Sequence, residues 1–324
     1  MTEGPDEAGE PLMRYSELGK TGLRVSELCF GSLAIGPAQY NLDPSRSHDL
    51  LAYAWERGVN FFDAAELYGT YARLREVAGL KGAVVASRCY AVTADEMRSS
   101  FDLCRRELGR DVLDVFGLHE QESGLTLKGH REALDFLQTR KQSGALKAVS
   151  VSTHTVECVR AAAMLDAVDV VFALLNVDGL GIRGGTRQDM EDSLESARSM
   201  GKGIYLMKAL GGGHLYRDAA RALAYARDFP YKDSVCVGLR DEYEVEFASR
   251  VLSGEDKPAP IPDRGDAPKR LFVEDWCERC GECMKRCPFG ALSLGEDKAH
   301  VDGEKCMLCG YCARACPHFC LKVV

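Results

Sequence analysis

The chain has no apolar run that approaches the roughly 18 residues of a membrane-spanning helix. Basic residues are in the minority, since 41 Lys and Arg stand against 49 Asp and Glu, and the formal net charge is −8. This balance argues against general nucleic-acid binding. The first residues also lack the basic and apolar segments of a secretory signal. We therefore expect a cytoplasmic protein that binds neither membranes nor nucleic acid.

Cysteine is abundant, with 14 in 324 residues. Eight of them form two copies of the spacing Cys-x2-Cys-x2-Cys-x3-Cys-Pro, displaced from each other by 29 residues. A [4Fe–4S] cluster needs four converging thiolates, and the fourth cysteine of each run normally ligates the cluster of the other run. The spacing therefore predicts two [4Fe–4S] clusters. The first is assigned to Cys277, Cys280, Cys283 and Cys316, and the second to Cys306, Cys309, Cys312 and Cys287.

Zinc knuckles and disulfides are the alternatives for these cysteines. Zinc also takes paired cysteines, but each run here has a third cysteine and a fourth that is followed by proline. Disulfides need an oxidising compartment, for which the sequence carries no signal. The two runs resemble a bacterial two-cluster ferredoxin over roughly residues 270–324.

Composition divides the chain into four segments. Residues 1–13 are acidic and poor in large apolar groups, which predicts a flexible tail. Residues 253–270 carry four of the eleven prolines and almost no large apolar side chains, which predicts a linker. Between them, residues 14–252 are long enough for one sizeable α/β domain. Residues 271–324 form the predicted cluster domain.

Within residues 14–252, apolar β-branched runs alternate with helical patterns about every thirty residues. We predict strands at Glu27–Phe30, Asn60–Asp63, Ala83–Ser87, Leu113–Leu118, Leu146–Ser150, Val168–Leu174, Gly203–Met207 and Ser234–Val237. Eight strands that are each followed by a helix favour a closed (β/α)8 barrel, with a doubly wound open sheet as the alternative. The helix after the second strand must be short, and longer ones are expected elsewhere, including Lys128–Ser143 and Tyr216–Ala226.

Polar side chains follow three neighbouring strands of this predicted barrel. Asp63 and Tyr68 follow the second strand, Arg88 the third and His119 the fourth. The carboxyl ends of barrel strands face one mouth, where active sites are built. We therefore expect these four side chains to lie close together, although each alone is as well explained by a cap, a wall or a core residue.

Two motifs carry a resemblance to a known family. The segments Leu18-Gly-Lys-Thr-Gly-Leu-Arg-Val-Ser26 and Gly58-Val-Asn-Phe-Phe-Asp-Ala-Ala-Glu-Leu-Tyr-Gly69 are similar to the N-terminal hairpin and the most characteristic motif of the aldo/keto reductases. The resemblance implies a catalytic tetrad of Asp63, Tyr68, residue 88 and His119, and a small carbonyl or alcohol substrate. The family has lysine at the third position, whereas this chain has Arg88.

The chemistry of carbonyl reduction explains such a tetrad. Negative charge develops on the carbonyl oxygen, so a group must protonate or stabilise it. A tyrosine hydroxyl can do so, a nearby cation lowers its pKa, and a carboxylate can hold that cation. Arginine keeps the charge but is planar and never deprotonated. Arg88 is therefore expected either to tune Tyr68 or to be drawn away to a carboxylate.

A nicotinamide nucleotide, NADP(H) or NAD(H), is the cofactor that the resemblance implies. Lys208 and Gly211-Gly212-Gly213 follow the seventh strand, and glycine amides let phosphate oxygens approach closely. The resemblance places Ser152, Thr153 and Asn176 at the nicotinamide. Arg240 is the candidate at the adenine end, but four acidic residues surround it. The string Gly179-x-Gly181-x-x-Gly184 is interpreted as a loop rather than a dinucleotide fingerprint.

Two functions remain open. The first is a nicotinamide-dependent oxidoreductase with clusters for electron transfer and a redox partner protein. The second is an iron–sulfur electron carrier whose barrel has lost or changed its reductase chemistry and serves as a docking platform. Hydride moves two electrons and a cubane one, and no convincing flavin motif joins them. The substrate and the oligomeric state are not readable from the sequence.

Overall fold

Eight parallel strands close into a barrel in the computed structural model of the chain, which describes residues 13–37, 39–255, 258, 269–306, 308 and 310–324. A two-stranded hairpin, β1 (Tyr15–Glu17) and β2 (Arg24–Ser26), precedes the barrel. The barrel strands are β3 (Leu28–Gly31), β4 (Phe61–Asp63), β5 (Val84–Cys89), β6 (Leu113–Leu118), β7 (Leu146–Thr153), β8 (Val170–Leu174), β9 (Gly203–Met207) and β10 (Ser234–Gly238). Pairing of β10 with β3 closes the ring, which confirms the barrel and excludes the open sheet.

Nine helices of the described residues surround the strands. They are α1 (Pro44–Glu56), α2 (Tyr71–Ala78), α3 (Ala94–Leu108), α4 (Gly124–Gly129), α5 (Arg131–Gln142), α6 (Val156–Ala163), α7 (Arg187–Ser199), α8 (Ala219–Asp228) and α9 (Glu242–Leu252). Local sequence sets where several of them begin, because Thr93, Ser123 and Thr186 each accept a hydrogen bond from the amide three residues on.

Three helix predictions meet the structure differently. Helix α2 is eight residues long, as the short spacing required. The predicted helix Lys128–Ser143 is wrong in its extent, because Ser123 caps an earlier helix and His130 separates α4 from α5. The predicted helix Tyr216–Ala226 begins as the 3-10 turn Tyr216–Asp218, and α8 runs only from Ala219.

Two apolar layers hold the barrel together. One lies between the strands and the helices and includes Phe30, Phe62, Phe101 and Phe116, all fully buried. The other fills the interior of the ring. The hairpin contributes Leu18 to this interior layer and thereby closes one end of the barrel.

The predicted tail and linker lie largely outside the described residues, namely at 1–12, 256, 257 and 259–268. Met13, which the tail prediction included, is described and buried against the barrel, where its side chain lies 3.0 Å from the position of a Cβ at Gly58. Helix α9 ends at Leu252, at the predicted start of the linker.

The C-terminal lobe is a pseudo-repeat with its own small core. Its elements are β11 (Leu271–Val273), α10 (Glu282–Arg286), β12 (Leu292–Leu294), β13 (Ala299–Val301), α11 (Tyr311–Ala315) and β14 (Leu321–Val323). The last strand, β14, pairs antiparallel with β11, and β12 pairs with β13. Cys283, Cys312 and Cys320 are buried in this core, and Cys277, Cys287, Cys306 and Cys316 pack against it.

The lobe packs against the barrel rather than standing apart from it. Phe319 and Ala313 belong to the same apolar cluster as the barrel interior. Nε2 of His214 lies 2.8 Å from the carbonyl oxygen of Leu321, and Nη2 of Arg314 lies 3.2 Å from Oδ2 of Asp178. The contact surface is therefore at the mouth of the barrel formed by the carboxyl ends of its strands.

Candidate active site

The four predicted catalytic residues come together at the carboxyl ends of neighbouring strands. Asp63 is the last residue of β4, Arg88 lies near the end of β5, and His119 follows β6. Tyr68 lies on the 3-10 turn Glu66–Tyr68 that follows β4. Parallel pairing of β4 with β5 and of β5 with β6 brings these strand ends to one edge of the ring.

Arg88 is held by Asp63 and contacts Tyr68 at the same time. Its Nη1 donates to Oδ1 of Asp63 at 2.5 Å, and its Nη2 donates to Oδ2 at 2.8 Å. The same Nη2 donates to the Tyr68 hydroxyl at 2.9 Å. The side chains of Arg88 and Asp63 are 2% and 3% exposed. Both roles expected for Arg88 are therefore combined in one buried network.

Two aromatic residues that sequence reasoning missed complete this network. The Tyr205 hydroxyl, on β9, donates to Oδ1 of Asp63 at 3.1 Å, and its ring stacks on Phe172 of β8 at 3.9 Å. The Arg88 guanidinium lies 4.5 Å from the centre of the Phe172 ring. The sequence signal for these two residues was that both are large aromatic residues within predicted strands, where alternate side chains point into the ring.

The Tyr68 hydroxyl stays protonated at neutral pH. Burial raises the pKa of Tyr68 to about 12, and although Arg88 lowers that pKa, Asp63 opposes it. The pKa of Arg88 itself lies well above its usual value, because Asp63 and Tyr68 outweigh the effect of burial. The site thus presents a neutral phenol whose oxygen accepts a hydrogen bond from a permanent cation and whose proton remains available to a ligand.

His119 is a buried, neutral imidazole. Its ring stacks on Tyr90 at 4.6 Å and meets the edge of Tyr68 at 5.9 Å. Burial, with a contribution from Arg88, lowers the pKa of His119 to about 3. Nδ1 is buried and has no hydrogen-bond partner in the described part of the chain. Sequence reasoning missed Tyr90, whose hydroxyl donates to Glu120 at 2.9 Å.

The residues that were predicted to contact a nicotinamide form hydrogen bonds with other groups of the chain. The side-chain amide of Asn176 donates to the carbonyl of Leu180 and accepts from its N–H, both at 2.9 Å. Oγ of Ser152 accepts from the N–H of Glu120 at 2.9 Å. Oγ1 of Thr153 accepts from the N–H of Thr155, also at 2.9 Å.

The glycines predicted at the phosphates are covered by another part of the chain, and Arg240, predicted at the adenine, pairs with its neighbours. Gly211, Gly212 and Gly213 all have positive φ, at 58°, 65° and 89°, and form a tight turn in the left-handed region that favours glycine. The last strand of the lobe covers this turn, so that a Cβ at Gly213 would stand 1.9 Å from the carbonyl oxygen of Val323. Lys208 adopts φ 60° just before the turn. Nε of Arg240 donates to Glu244 at 3.1 Å and lies 3.4 Å from a carboxylate oxygen of Asp241.

The lobe contains two cysteine-lined cavities that match the two predicted ligand sets. One is lined by Cys277, Cys280, Cys283 and Cys316. The other is lined by Cys287, Cys306 and Cys312, while Cys309 lies outside the described residues. Each cavity thus combines cysteines of one run with the last cysteine of the other, as the crossed assignment predicts.

Cys320 also lines the first cavity, although it lies outside the two runs from which the sequence predicted the cluster ligands. Its Sγ lies 3.4 Å from Sγ of Cys316. The sequence did carry a signal for this extra cysteine. With a displacement of 29 residues between the runs, Cys320 corresponds to Ala291, so the second run has a thiol that the first lacks. The two cavities therefore differ by one thiol.

Family models match both parts of the chain. The model described as the aldo/keto reductase family matches residues 27–234, and the one described as a 4Fe-4S dicluster domain matches residues 270–317. Among the helices of the described residues, none has the length and apolar character needed to cross a bilayer.

Curated relatives match shorter segments. L-galactose dehydrogenase of Arabidopsis thaliana is 29% identical over 152 residues, which cover 42% of this chain and 47% of that protein. The 6-dehydroglucose reductase of Novosphingobium aromaticivorans is 25% identical over 162 residues, 44% of this chain and 52% of that protein. The chain thus spans about half the length of these relatives.

Solved structures agree on the architecture. A putative aldo-keto reductase from Pseudomonas aeruginosa superposes with a TM-score of 0.65 at 23% identity, covering 75% of this chain and 96% of that one. At this identity the similarity concerns the barrel fold.

Proposed function

This chain belongs to the aldo/keto reductase family and carries a 4Fe-4S dicluster domain, and we propose that it interconverts a small carbonyl compound and its alcohol at a centre formed by Asp63, Tyr68, Arg88 and His119. The observation that carries the proposal is the hydrogen bond from Nη2 of Arg88 to the Tyr68 hydroxyl, within a buried network fixed by Asp63. The small carbonyl or alcohol substrate and a redox partner protein for the clusters are parts of the same proposal.

Tyr68 supplies the proton in this proposal. The carbonyl oxygen becomes more basic as reduction proceeds, and a neutral phenol beside it donates its proton. The phenolate that remains is stabilised by Arg88, which already donates to the same oxygen. Arg88 itself relays no proton, because a guanidinium is not deprotonated in proteins.

Asp63 and His119 have positioning roles. Asp63 accepts two hydrogen bonds from Arg88 and one from Tyr205, so the cation has no freedom to leave the phenol. His119, a neutral imidazole packed between Tyr90 and Tyr68, orients the substrate oxygen through a ring N–H. A charged imidazole at that place would be opposed by Arg88.

The family implies a nicotinamide nucleotide, NADP(H) or NAD(H), as the source of hydride. The residues proposed for it do not fit a dinucleotide with the lobe in its present position. Asn176 is bonded at both ends of its amide to Leu180, and β14 lies on the Gly211–Gly213 turn. We therefore derive no step through a nucleotide.

The two cysteine-lined cavities fit [4Fe–4S] clusters by the chemistry of their donors. Cys277, Cys280, Cys283 and Cys316 would hold the first, and Cys306, Cys309, Cys312 and Cys287 the second. When bound, each cluster supplies one-electron exchange. Such clusters and several free thiols favour a reducing compartment, which supports the cytoplasm as the location.

Replacement of Tyr68 tests the proposal. We expect Tyr68→Phe to lower carbonyl turnover by about 100-fold or more, because general acid catalysis contributes at least about that factor. Turnover of a panel of aliphatic and aromatic aldehydes would be measured anaerobically, with reduced methyl viologen, NADH or NADPH as the electron source. Tyr231→Phe is the matched control, because the Tyr231 hydroxyl donates to Glu195 and takes no part in the network of Asp63, Arg88 and Tyr68. Wild-type turnover by Tyr68→Phe would end the assignment.

A second candidate function is an iron–sulfur electron carrier for which the barrel is a docking platform. The observation that favours it is that the predicted nicotinamide residues and Arg240 form hydrogen bonds within the chain, while β14 covers the Gly211–Gly213 turn. Under this reading the holoprotein passes electrons between one-electron donors and acceptors at a rate that Tyr68→Phe leaves unchanged, and no aldehyde of the panel is turned over.

A further inference from the structure

The Gly211–Gly213 turn has room above it because its residues lack side chains. In a phosphate-binding loop that room admits the phosphate oxygens. Here it admits the chain's own C-terminus. A Cβ at Gly212 would stand 2.8 Å from Cδ of Lys322, and one at Gly213 would stand 1.9 Å from the carbonyl oxygen of Val323.

The residues before β14 extend this contact to the neighbouring loop. The ring of Phe319 lies 2.6 Å from the position of a Cβ at Gly181 and 3.3 Å from that of a Cβ at Gly212. Its ring also meets the edge of His154 at 6.3 Å. Phe319 is 1% exposed, so it fills the space between the two glycine loops completely.

Polar contacts hold the strand in that place. Within the lobe, the side chain of Lys322, a residue that is 3% exposed, donates to the carbonyl of Phe319 and so ties together the two residues that cover the turn. The His214 ring, on the residue that follows the turn, bonds the carbonyl of Leu321 at 2.8 Å. An ion pair of Arg314 with Asp178, at 3.2 Å, ties the lobe to the loop after β8.

We infer that Lys322 and Val323 occupy the place on the Gly211–Gly213 turn that a dinucleotide pyrophosphate would need, so that the docked lobe and NAD(P)(H) exclude each other. The barrel then binds a nucleotide only in the fraction of molecules whose C-terminal strand has left the turn, and the apparent affinity is reduced by that fraction. This inference goes beyond the proposed function, because it concerns binding and holds whether or not Tyr68 is catalytic.

Two variants of the cluster-loaded protein release the strand in different ways. Phe319→Ala/Arg314→Ala removes the apolar anchor and the ion pair. Truncation after Cys320 removes the strand itself and leaves all eight predicted cluster ligands in place. Lys285→Ala is the matched control, because Lys285 holds in the first run the position that Arg314 holds in the second, its side chain is 71% exposed, and it pairs with Glu282 of its own helix α10. Iron and sulfide content of each protein shows that its clusters are retained.

Binding of NADH and NADPH would be measured anaerobically by calorimetry, with hydrogen exchange of residues 318–324 followed in parallel. We expect both release variants to bind a nucleotide about tenfold or more tightly than the wild type. The control should match the wild type. Any nucleotide that does bind the wild type should raise exchange at 318–324.

Three results would overturn the inference. One is wild-type binding as tight as that of the variants. Another is wild-type binding that leaves the exchange of 318–324 unchanged. The third is absence of binding to the truncated protein, because the strand would then not be what excludes the nucleotide. None of them bears on Tyr68, whose role is tested by turnover.

Discussion

At the scale of single residues, Arg88 donates hydrogen bonds to a carboxylate and to a phenol at the same time, which a lysine would do less completely. A guanidinium can pair with both oxygens of a carboxylate and still donate to a third group. Asp63 takes the bidentate pair and Tyr68 the remaining bond. The departure from the lysine of the family is therefore compatible with a charged, fixed centre.

Removal of this cation should be costly to stability. Arg88→Met leaves Asp63 buried without a counter-charge, and breaking a buried ion pair in this way costs about 3–5 kcal/mol. We expect a corresponding loss in the free energy of unfolding, measured by urea denaturation under anaerobic conditions. Arg98→Met, at a side chain that is 58% exposed, should change it by less than about 0.5 kcal/mol. Equal effects of the two substitutions would contradict the buried network.

Cys320 should make the two clusters unequal. A hydrogen bond to a cluster sulfur stabilises the reduced, more negative state, and Cys320 lies 3.4 Å from the sulfur of Cys316. We expect Cys320→Ala to lower the midpoint potential of one cluster and to leave the other unchanged, as read from redox titrations followed by electron paramagnetic resonance. Ala291→Cys is the mirror substitution in the other run and should shift the second cluster. Identical shifts of both clusters would contradict the assignment.

At the scale of elements, two neighbouring strands of the barrel, β6 and β7, approach each other unusually closely. Gly117 of β6 is paired with Ser150 of β7, and a Cβ at Gly117 would stand 1.7 Å from the Ser150 carbonyl oxygen. A side chain here would displace backbone, not merely a flexible neighbour. The glycine thus keeps two barrel strands in register beneath the site.

Gly117→Ala should therefore destabilise the protein by about 3 kcal/mol or more, at the upper end of overpacking costs. Gly129→Ala is the matched control, because a Cβ there meets no atom within 4 Å and the residue ends the helix α4. That substitution should be neutral or slightly stabilising. Thermal unfolding of the barrel would measure both, and a tolerated Gly117→Ala would show that the strands can separate.

At the scale of the whole molecule, the lobe and the barrel are coupled through a small set of contacts. The lobe has few apolar residues of its own, so its folding depends on the metal that its cysteines bind. The barrel has two extensive apolar layers and needs no such support. Loss of the clusters should thus affect the two parts unequally.

Anaerobic removal of iron by a chelator should unfold the lobe and expose the turn beneath it. We expect faster hydrogen exchange in residues 208–215 and 269–324, while strands β3 to β10 keep their protection. The same measurement on holoprotein treated with buffer alone is the control. Simultaneous loss of protection throughout the barrel would mean that the lobe is an integral part of its core.

Particular residues show which features of the fold and of the site could be predicted from the sequence. The barrel and the family were predictable, because strand periodicity and the motif around Asp63 and Tyr68 are local patterns. It was also predictable that four side chains at neighbouring strand ends would lie close together, namely Asp63, Tyr68, Arg88 and His119. The bond of Tyr205 to Asp63 was not predictable, because strand alternation indicates that Tyr205 points into the ring but not which side chain it meets there. The catalytic and cofactor roles of these residues stay predictions.

The sequence by itself predicted the cysteine ligand sets and the alternation of strands and helices, since a ligand spacing and a strand repeat are local patterns, whereas closure of the ring depends on the pairing of β10 with β3. Only the tertiary structure decided what lies on the glycine turn. Three consecutive glycines predict an open space above the turn, but they do not predict which group fills it. Val323 lies against Gly213 only because the lobe packs at the mouth of the barrel. Such a contact depends on packing between distant segments, for which no local pattern in the chain is a sufficient signal.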